Sequence, residues 1–363
     1  VGINTKKLLI LLMFSTVAFW QDEVGQAIPT GLTYGRVVAG RGSGSGLRAA
    51  WSNDGITWNT ATTPDSRGYV SCDFSPELGL YIMVSDTAAA NNIISSTNGV
   101  AWTLRSKPNT NSLAQVAWCP GFSRFLAVGN TNVYSSTDGI TWTVAFTHSL
   151  TGIHCLKPTY AETPTGNYFV GLGSKSSTLA NAFTELIYTS NGTSFATYSF
   201  QQNGITFRVA TDIVYNKGLN RFLLTSRQEL GGQILTSTSL TSSWATYSEP
   251  VFSNTTRFQS GDNDTNTFII TNGQGSTTAG LKYSTTGLSN SWASASMPAG
   301  NKYSFDVIWC PEINTWVTSN YDDTTAYTSG DGITWTSRTG IINMFHFAWG
   351  PGVRTTGYKQ GAG

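Results

Sequence analysis

Asp262-Asn263-Asp264-Thr265-Asn266 places oxygen-bearing side chains on alternate residues, as at the start of a Ca²⁺-binding loop. The Gly that should follow and the distant bidentate Glu are both missing, and Asp and Asn are in any case common turn residues. Asp262, Asp264 and Asn266 are thus the metal candidates of this chain, set against a plain turn, and no cofactor is expected. Hydrolysis of a glycosidic bond needs two carboxyl groups facing one cleft. Glu is scarce, with seven in the chain, and the candidates Glu162 and Asp322-Asp323 lie in loops without a visible acidic partner. The three His are His148, His154 and His346, and a lone His is commonly a hydrogen-bonded lining group. No G-x-S-x-G nucleophile motif occurs. The Gly-rich stretch Gly40-Arg41-Gly42-Ser43-Gly44-Ser45-Gly46 lacks the Lys-Ser/Thr of a phosphate loop and reads as a loop between strands. The chemistry-bearing residues therefore assign no catalytic site.

The elements that would carry them are set by an internal repeat. Ser52-Asn-Asp54-Gly-Ile-Thr-Trp58 returns as Ser96-Thr-Asn98-Gly-Val-Ala-Trp102, Ser136-Thr-Asp138-Gly-Ile-Thr-Trp142 and Ser329-Gly-Asp331-Gly-Ile-Thr-Trp335. Looser copies are Thr189-Ser-Asn191-Gly-Thr-Ser-Phe195, Ser237 to Trp244 and Ser284 to Trp292. The terminal aromatics are 44, 40, 53, 49, 48 and 43 residues apart, the length of one four-stranded propeller blade. A second phrase keeps step: Val116-Ala-Trp118-Cys-Pro120 before Phe125-Leu-Ala-Val128, and Val307-Ile-Trp309-Cys-Pro311 before Trp316-Val-Thr318. Each reads as strand, turn, strand. Asp-Gly and Asn-Gly supply the left-handed positions of a tight turn, the Asp and Ser side chains can cap its N–H groups, and the Trp packs between sheets. The set Asp54, Trp58, Asn98, Trp102, Asp138, Trp142, Asn191, Phe195, Trp244, Trp292, Asp331 and Trp335 is accordingly expected to be structural.

The repeated phrase resembles the Asp-box, or BNR, repeat of sialidase-like β-propellers, although Gly here follows Asp directly and blades 5 and 6 carry Ser239 and Thr286 in place of Asp. The resemblance implies an all-β, seven-bladed propeller of four-stranded antiparallel blades over residues 33–352. The last copy is followed by Phe345-His-Phe-Ala-Trp349-Gly-Pro351, which matches the first-strand phrase, so the C-terminus should close the ring as the innermost strand of blade 1. Residues 1–32 then form an apolar N-terminal arm, or a signal or anchor segment, and residues 353–363 a tail. Sialidases of this fold hold a carboxylate with three Arg and use a Tyr–Glu nucleophile and an Asp acid/base. The nearest text, Tyr34-Gly35-Arg36-Val37, lacks the Pro of their first Arg motif, and no Tyr–Glu pair can be placed.

Composition narrows the classes. Lys and Arg number 21 and Asp and Glu 20, so no basic excess is available for nucleic acid. Charged residues are 11% of the chain, and Ser plus Thr are 92 of 363, a surface suited to secreted or virion proteins. None of the four Cys has metal-ligand spacing, and free buried thiols are expected. Lys6-Lys7 precedes the apolar run Leu8 to Trp20, which has the length of a signal-peptide core, with a cleavage step at Ala27. These features lead to a non-enzymatic structural or adhesion propeller of a virion, such as a phage-like tail or surface protein, or of an extracellular assembly. It would form a homo-oligomer or larger assembly through residues 1–30 and use polar loops to bind a glycan or cell-surface receptor. The alternatives are a secreted sialidase-like glycoside hydrolase and a periplasmic or lumenal complex-assembly factor.

Overall fold

The computed structural model describes residues 35–41, 48–150, 158–174, 184–206, 210–226, 233–248, 260–261, 267–271, 280–298, 304–320, 325–339, 344 and 346–351. These form seven antiparallel sheets of four strands each. The innermost strands are His346–Gly350 in blade 1, then Ser71–Ser75, Leu113–Cys119, Thr159–Thr163, Ala210–Asn216, Ser260–Gly261 and Ser304–Cys310. Each touches the next, and Ser304–Cys310 touches His346–Gly350, so the ring is closed. Blade 1 takes its innermost strand from the C-terminus: Arg36 stands opposite Gly350 and Gly40 opposite His346. The strands of a blade are covered on both faces by neighbouring blades, and Leu80–Val84 is buried at every position.

The turn phrase folds in the same way wherever Asp or Asn is kept. In blade 1, Asp54 Oδ1 accepts from Ile56 N–H at 2.8 Å, Thr57 N–H at 2.7 Å and the Ser52 hydroxyl at 2.9 Å. Asp138 and Asp331 repeat these bonds, and Asn98 and Asn191 make them with an amide oxygen. The Trp indole N–H donates back to the turn Gly carbonyl in blades 1, 2, 3 and 7. Gly139 shows why Gly is required: its φ is +69°, and an added Cβ would lie 2.4 Å from Leu80 Cδ2 in the preceding blade. The aromatic side chains wedge between blades, Trp142 against Leu80 and Ile82 of blade 2, and Trp335 against Ile269 of blade 6. Where the Asp is lost, the bonding changes. Trp244 Nε1–H donates to Leu240 O, and Trp292 Nε1–H donates to the Tyr247 hydroxyl of blade 5.

Burial works to raise the carboxyl pKa of Asp54, Asp138 and Asp331, but the converging N–H and hydroxyl donors outweigh it and hold each below the usual carboxylate range. A folded-state pKa below the unfolded value gives stability that is present above the unfolded pKa and lost as pH falls through the folded one. The triple variant D54N/D138N/D331N should therefore be modestly less stable than the parent at pH 7, and the gap should close on acidification. Thermal unfolding midpoints between pH 6 and about 2.5 check this, the lower bound lying below an ordinary Asp pKa of about 3.9; parallel acid profiles would refute it.

A second set of carboxylates ties blade to blade. Asp73 Oδ1 accepts from Phe74 N–H at 2.8 Å, and its Oδ2 accepts from Trp118 N–H of blade 3 at 2.7 Å. Asp306 accepts from Val307 N–H at 2.8 Å through Oδ1 and from Phe347 N–H of blade 1 at 2.9 Å through Oδ2. Ser71 Oγ accepts from Val116 N–H in the same manner. The innermost strands of blades 3, 5 and 7 each shift register near their start, at Leu113/Gln115, Ala210/Asp212 and Ser304/Val307. In blade 7 this irregularity brackets Asp306, whereas the strand that carries Ser71 and Asp73 pairs in unbroken register.

Candidate functional site

The turns carrying Asp54, Asp138 and Asp331 lie at one face of the ring and use their carboxylates on their own backbone. The opposite face is built by the loops that join the second and third strands of a blade and those that lead into the next blade. Its best-described sector spans blades 1 to 3. The segment 61–70 enters blade 2. There Asp65 Oδ1 accepts from Arg67 N–H at 3.0 Å and from the Tyr69 hydroxyl at 2.9 Å, and Asp65 Oδ2 lies 3.4 Å from Arg67 Nε. Tyr69 is fully buried. Burial, then the hydrogen bond to Asp65, push its phenol pKa far up, so it acts as a neutral donor that orients the carboxylate.

The blade 2 loop Ser85–Asn92 is held from both sides. Arg67 donates to Asn91 O at 2.5 Å and to Asn91 Oδ1 at 3.1 Å. On the far side Lys107 Nζ donates to Ala89 O at 3.2 Å and to Asn109 O at 2.6 Å. From within, Asn92 Nδ2 donates to Ser85 O, Thr87 O and Asn111 O. Lys107 is buried and lies over the Tyr134 ring, 5.1 Å from its centroid. Burial pulls its ammonium pKa down to about 8, so this group exchanges its proton near neutral pH.

Beside Lys107 stands a set of amides. The Tyr134 hydroxyl donates to Asn109 Oδ1 at 2.5 Å, and Asn111 Nδ2 donates to Asn132 Oδ1 at 2.8 Å and to Thr131 Oγ1 at 2.7 Å. His148 closes the sector. Its N–H donates to Thr131 O, its Nδ1 accepts from Leu150 N–H at 3.3 Å, and burial lowers its pKa, which keeps the imidazole neutral at pH 7. The described loop residues of this sector, 41, 48, 61–70, 85–92, 106–112 and 129–132, carry Arg41, Arg48, Arg67 and Lys107 against Asp65 and Asp86. The rim is therefore net positive and dense in amides and hydroxyls, a chemistry that suits an anionic, hydroxyl-rich ligand.

The residues singled out in the sequence fall elsewhere. Asp262, Asp264 and Asn266, like Asp322, Asp323 and His154, lie outside the described residues, as do the arm at residues 1–32 and the tail at 353–363. Among the described residues no group of three His, Cys, Asp or Glu converges to hold a metal ion. Glu162 pairs with Lys217 at 2.9 Å on the face of the Asp-Gly turns. Arg36 stacks on Trp51, 4.1 Å from the ring centroid, and donates to Asn53 Oδ1, also away from the amide-lined rim. His346 is buried in the innermost strand of blade 1. Cys72, Cys119 and Cys310 are free and buried, and burial raises the thiol pKa of Cys119 and Cys310, so both are poor nucleophiles. Asp65, Arg67, Tyr69, Lys107 and the Asn set were not visible as a site because they come from four separate loops without a shared motif. Their one signal was the concentration of Asn and Arg between residues 41 and 132.

No protein-family model matches the chain, and no curated protein matches it by sequence. Solved structures do match. A 6-phosphogluconolactonase candidate of Bacteroides fragilis aligns with a TM-score of 0.59 at 10% identity, covering 87% of this chain and 97% of that one. The periplasmic gluconolactonase of Pseudomonas aeruginosa aligns at 0.55 and 9% identity, covering 87% and 98%. Streptogramin B lyase aligns at 0.56 and 13% identity, covering 77% and 84%. These findings correct the expectation of a non-enzymatic virion or adhesion head. These three propellers are named as lactonases and a lyase, one of them periplasmic. Among the described residues no helix is long and apolar enough to cross a membrane. At these identities the likeness concerns architecture, and on that ground the chain is an all-β, seven-bladed propeller closed by its C-terminal strand.

Proposed function

We propose that this chain is a secreted hydrolase of carbohydrate-derived substrates, with the rim of blades 1 to 3 as its ligand site. The observation that carries the reading is the placement of Arg67 and Lys107 on either side of one loop, Ser85–Asn92, next to Asn109, Asn111 and Asn132. Cations hold an acidic group, and amides and hydroxyls hold sugar hydroxyls. Lys107, with its pKa near 8, is the group placed to move a proton. Lactones are the first substrate class to test, since the gluconolactonases share the architecture. The turn bonds of Asp54, Asp138 and Asp331 support grouping the repeat with Asp-box propellers. The apolar run Leu8 to Trp20 behind Lys6-Lys7 supports export, with Ala27 as the cleavage point, and the low surface charge agrees with it.

The test is hydrolysis of glucono-lactone, 6-phosphoglucono-lactone and chromogenic glycosides by the full chain. At least one should turn over above the buffer rate. Lys107→Gln should lower kcat by about tenfold or more, as expected for loss of a proton-transfer group. Lys107→Arg should keep the positive charge but abolish the rise or fall of rate near pH 8. Absence of turnover on every substrate, or an unchanged kcat and pH profile in both variants, overturns the proposal.

A further inference from the structure

Lys107 stands in a cage of neutral groups, and Asn109 supplies most of it. Nζ donates to Ala89 O at 3.2 Å, to Asn109 O at 2.6 Å and to Asn109 Oδ1 at 3.4 Å, and it lies over the Tyr134 ring. Asn109 thus grips one ammonium with both its main-chain and its side-chain oxygen. The amide is itself held at both ends. Oδ1 accepts from the Tyr134 hydroxyl and from Asn111 N–H at 3.1 Å, and Nδ2 donates to Asn132 Oδ1 at 3.3 Å. The oxygen end therefore meets donors and the NH₂ end meets an oxygen, which fixes the orientation of the group. Asn132 is anchored in turn, since its Nδ2 donates to Thr147 Oγ1 at 2.9 Å. Charged groups on the elements around the amine are Arg105, which donates to Ser95 Oγ, Asp86 in the loop Ser85–Asn92, and Asp65 with Arg67 beyond that loop, while His148 is neutral. None of the Nζ bonds goes to a carboxylate, and burial alone acts on the pKa of the amine. A carboxylate partner would hold the ammonium in its charged form, whereas carbonyl and amide oxygens place it with a far weaker hold on its proton.

We infer that Asn109 is the positioning residue of the Lys107 amine: it fixes where the amine stands on the rim and, being an amide in place of an acid, leaves the proton exchangeable. The inference rests on the rim being the ligand site, with Lys107 as its proton-transfer group, and assigns the residue that governs that group. Oδ1 is the most distant acceptor of Nζ, so it is the contact that a hydroxyl or ring oxygen of a ligand replaces, while Asn109 O and Ala89 O keep the amine in place. An acid at position 109 would lock the proton on the amine and repel an anionic ligand.

Titration of the full chain, with its lysines labelled with carbon-13 and followed by NMR, tests this without reference to activity. The Lys107 signal is assigned by its loss in Lys107→Arg. The parent midpoint should lie near pH 8. Asn109→Asp puts a carboxylate oxygen where Oδ1 stands and should raise the midpoint by more than about one pH unit. Asn109→Ala removes an acceptor of the charged form and should lower it. An Asn that merely fills the loop would leave the midpoint where it is in both variants. If Asn109→Asp does not fold, the shift in Asn109→Ala decides. In lactone hydrolysis the pH dependence of kcat should move in step with the midpoint. A midpoint unmoved in the folded variants overturns the inference. Midpoints that move in a chain that hydrolyses nothing leave Asn109 as the positioning residue of the amine and sink the enzymatic proposal. Hydrolysis whose pH profile stays fixed while the midpoint moves removes both Asn109 and Lys107 from the reaction.

Discussion

Removing residues 344–363 should abolish cooperative folding. The strand His346–Gly350 is the innermost strand of blade 1, and its loss strips the whole ladder from Arg36–Gly40. Phe347 and Met344 are buried in the cluster that joins blades 7 and 1, with Val37, Ala39 and Val317. Deleting two such side chains alone costs on the order of 5–9 kcal/mol by large-to-small precedent. That is comparable with the whole net stability of a domain, about 5–15 kcal/mol. The Asp306 Oδ2 contact to Phe347 N–H is lost as well, which leaves one oxygen of a buried carboxylate without that donor. The truncated chain should elute as aggregate and show no calorimetric transition. A permuted chain that joins residues 344–351 ahead of Gly35, through a Pro-Gly-Phe-Ser turn copied from residues 120–123, should melt cooperatively and near the parent midpoint. A truncated chain that melts within a few degrees of the parent would refute closure as the source of stability.

Asp306→Asn should destabilise by about 2–4 kcal/mol, whereas Asp54→Asn should cost about 0–0.5 kcal/mol, although both replace a hydrogen-bonded Asp. The difference lies in how many oxygens are used. Asp54 receives all of its turn bonds on Oδ1, so an amide oxygen serves as well, as Asn98 and Asn191 already do in blades 2 and 4. Asp306 receives Val307 N–H on one oxygen and Phe347 N–H on the other. An Asn there must aim its NH₂ at a backbone N–H, in a site that is almost wholly buried. Asp73, which bonds Phe74 N–H and Trp118 N–H through different oxygens, should respond in the same direction. Denaturant midpoints of the three single variants separate the cases; equal losses for Asp54→Asn and Asp306→Asn would sink the distinction.

The fold was legible because each blade states its own geometry. Asp-Gly followed by Ile-Thr-Trp, present three times, fixes a turn and the strand after it, and with four looser copies at blade-length spacing it leaves little choice of architecture. The closing strand was legible as well, since His346 to Pro351 copies a first-strand phrase that blade 1 lacks. The inter-blade carboxylates were hidden. Asp73 and Asp306 occupy positions three and five residues before their turn Pro, so no fixed offset marks them. The rim was hidden for a related reason. Asp65, Asn91 and Lys107 lie in three loops and meet only because the segments entering and leaving blade 2 pack on either side of its loop Ser85–Asn92. Low overall charge pointed toward a passive surface, yet a net charge near zero is an average that conceals a local surplus of cations.

The C-terminal strand also sets the order of events during synthesis. The pairing of Arg36 with Gly350 joins residues from opposite ends of the sequence, one of the most distant contacts the chain makes. Blades 2 to 7 can each assemble as their own hairpins leave the ribosome, but Arg36–Gly40 waits with an open edge until residues 346–350 have been added. At about 5–20 residues per second, that edge stands exposed for on the order of 15–60 s. Sequences of this topology are thus under pressure to keep the waiting strand short and its flanks charged or Gly-rich. Arg36–Gly40 is five residues long and is followed by Arg41 and a Gly-Ser run, the composition that discourages premature pairing with another chain.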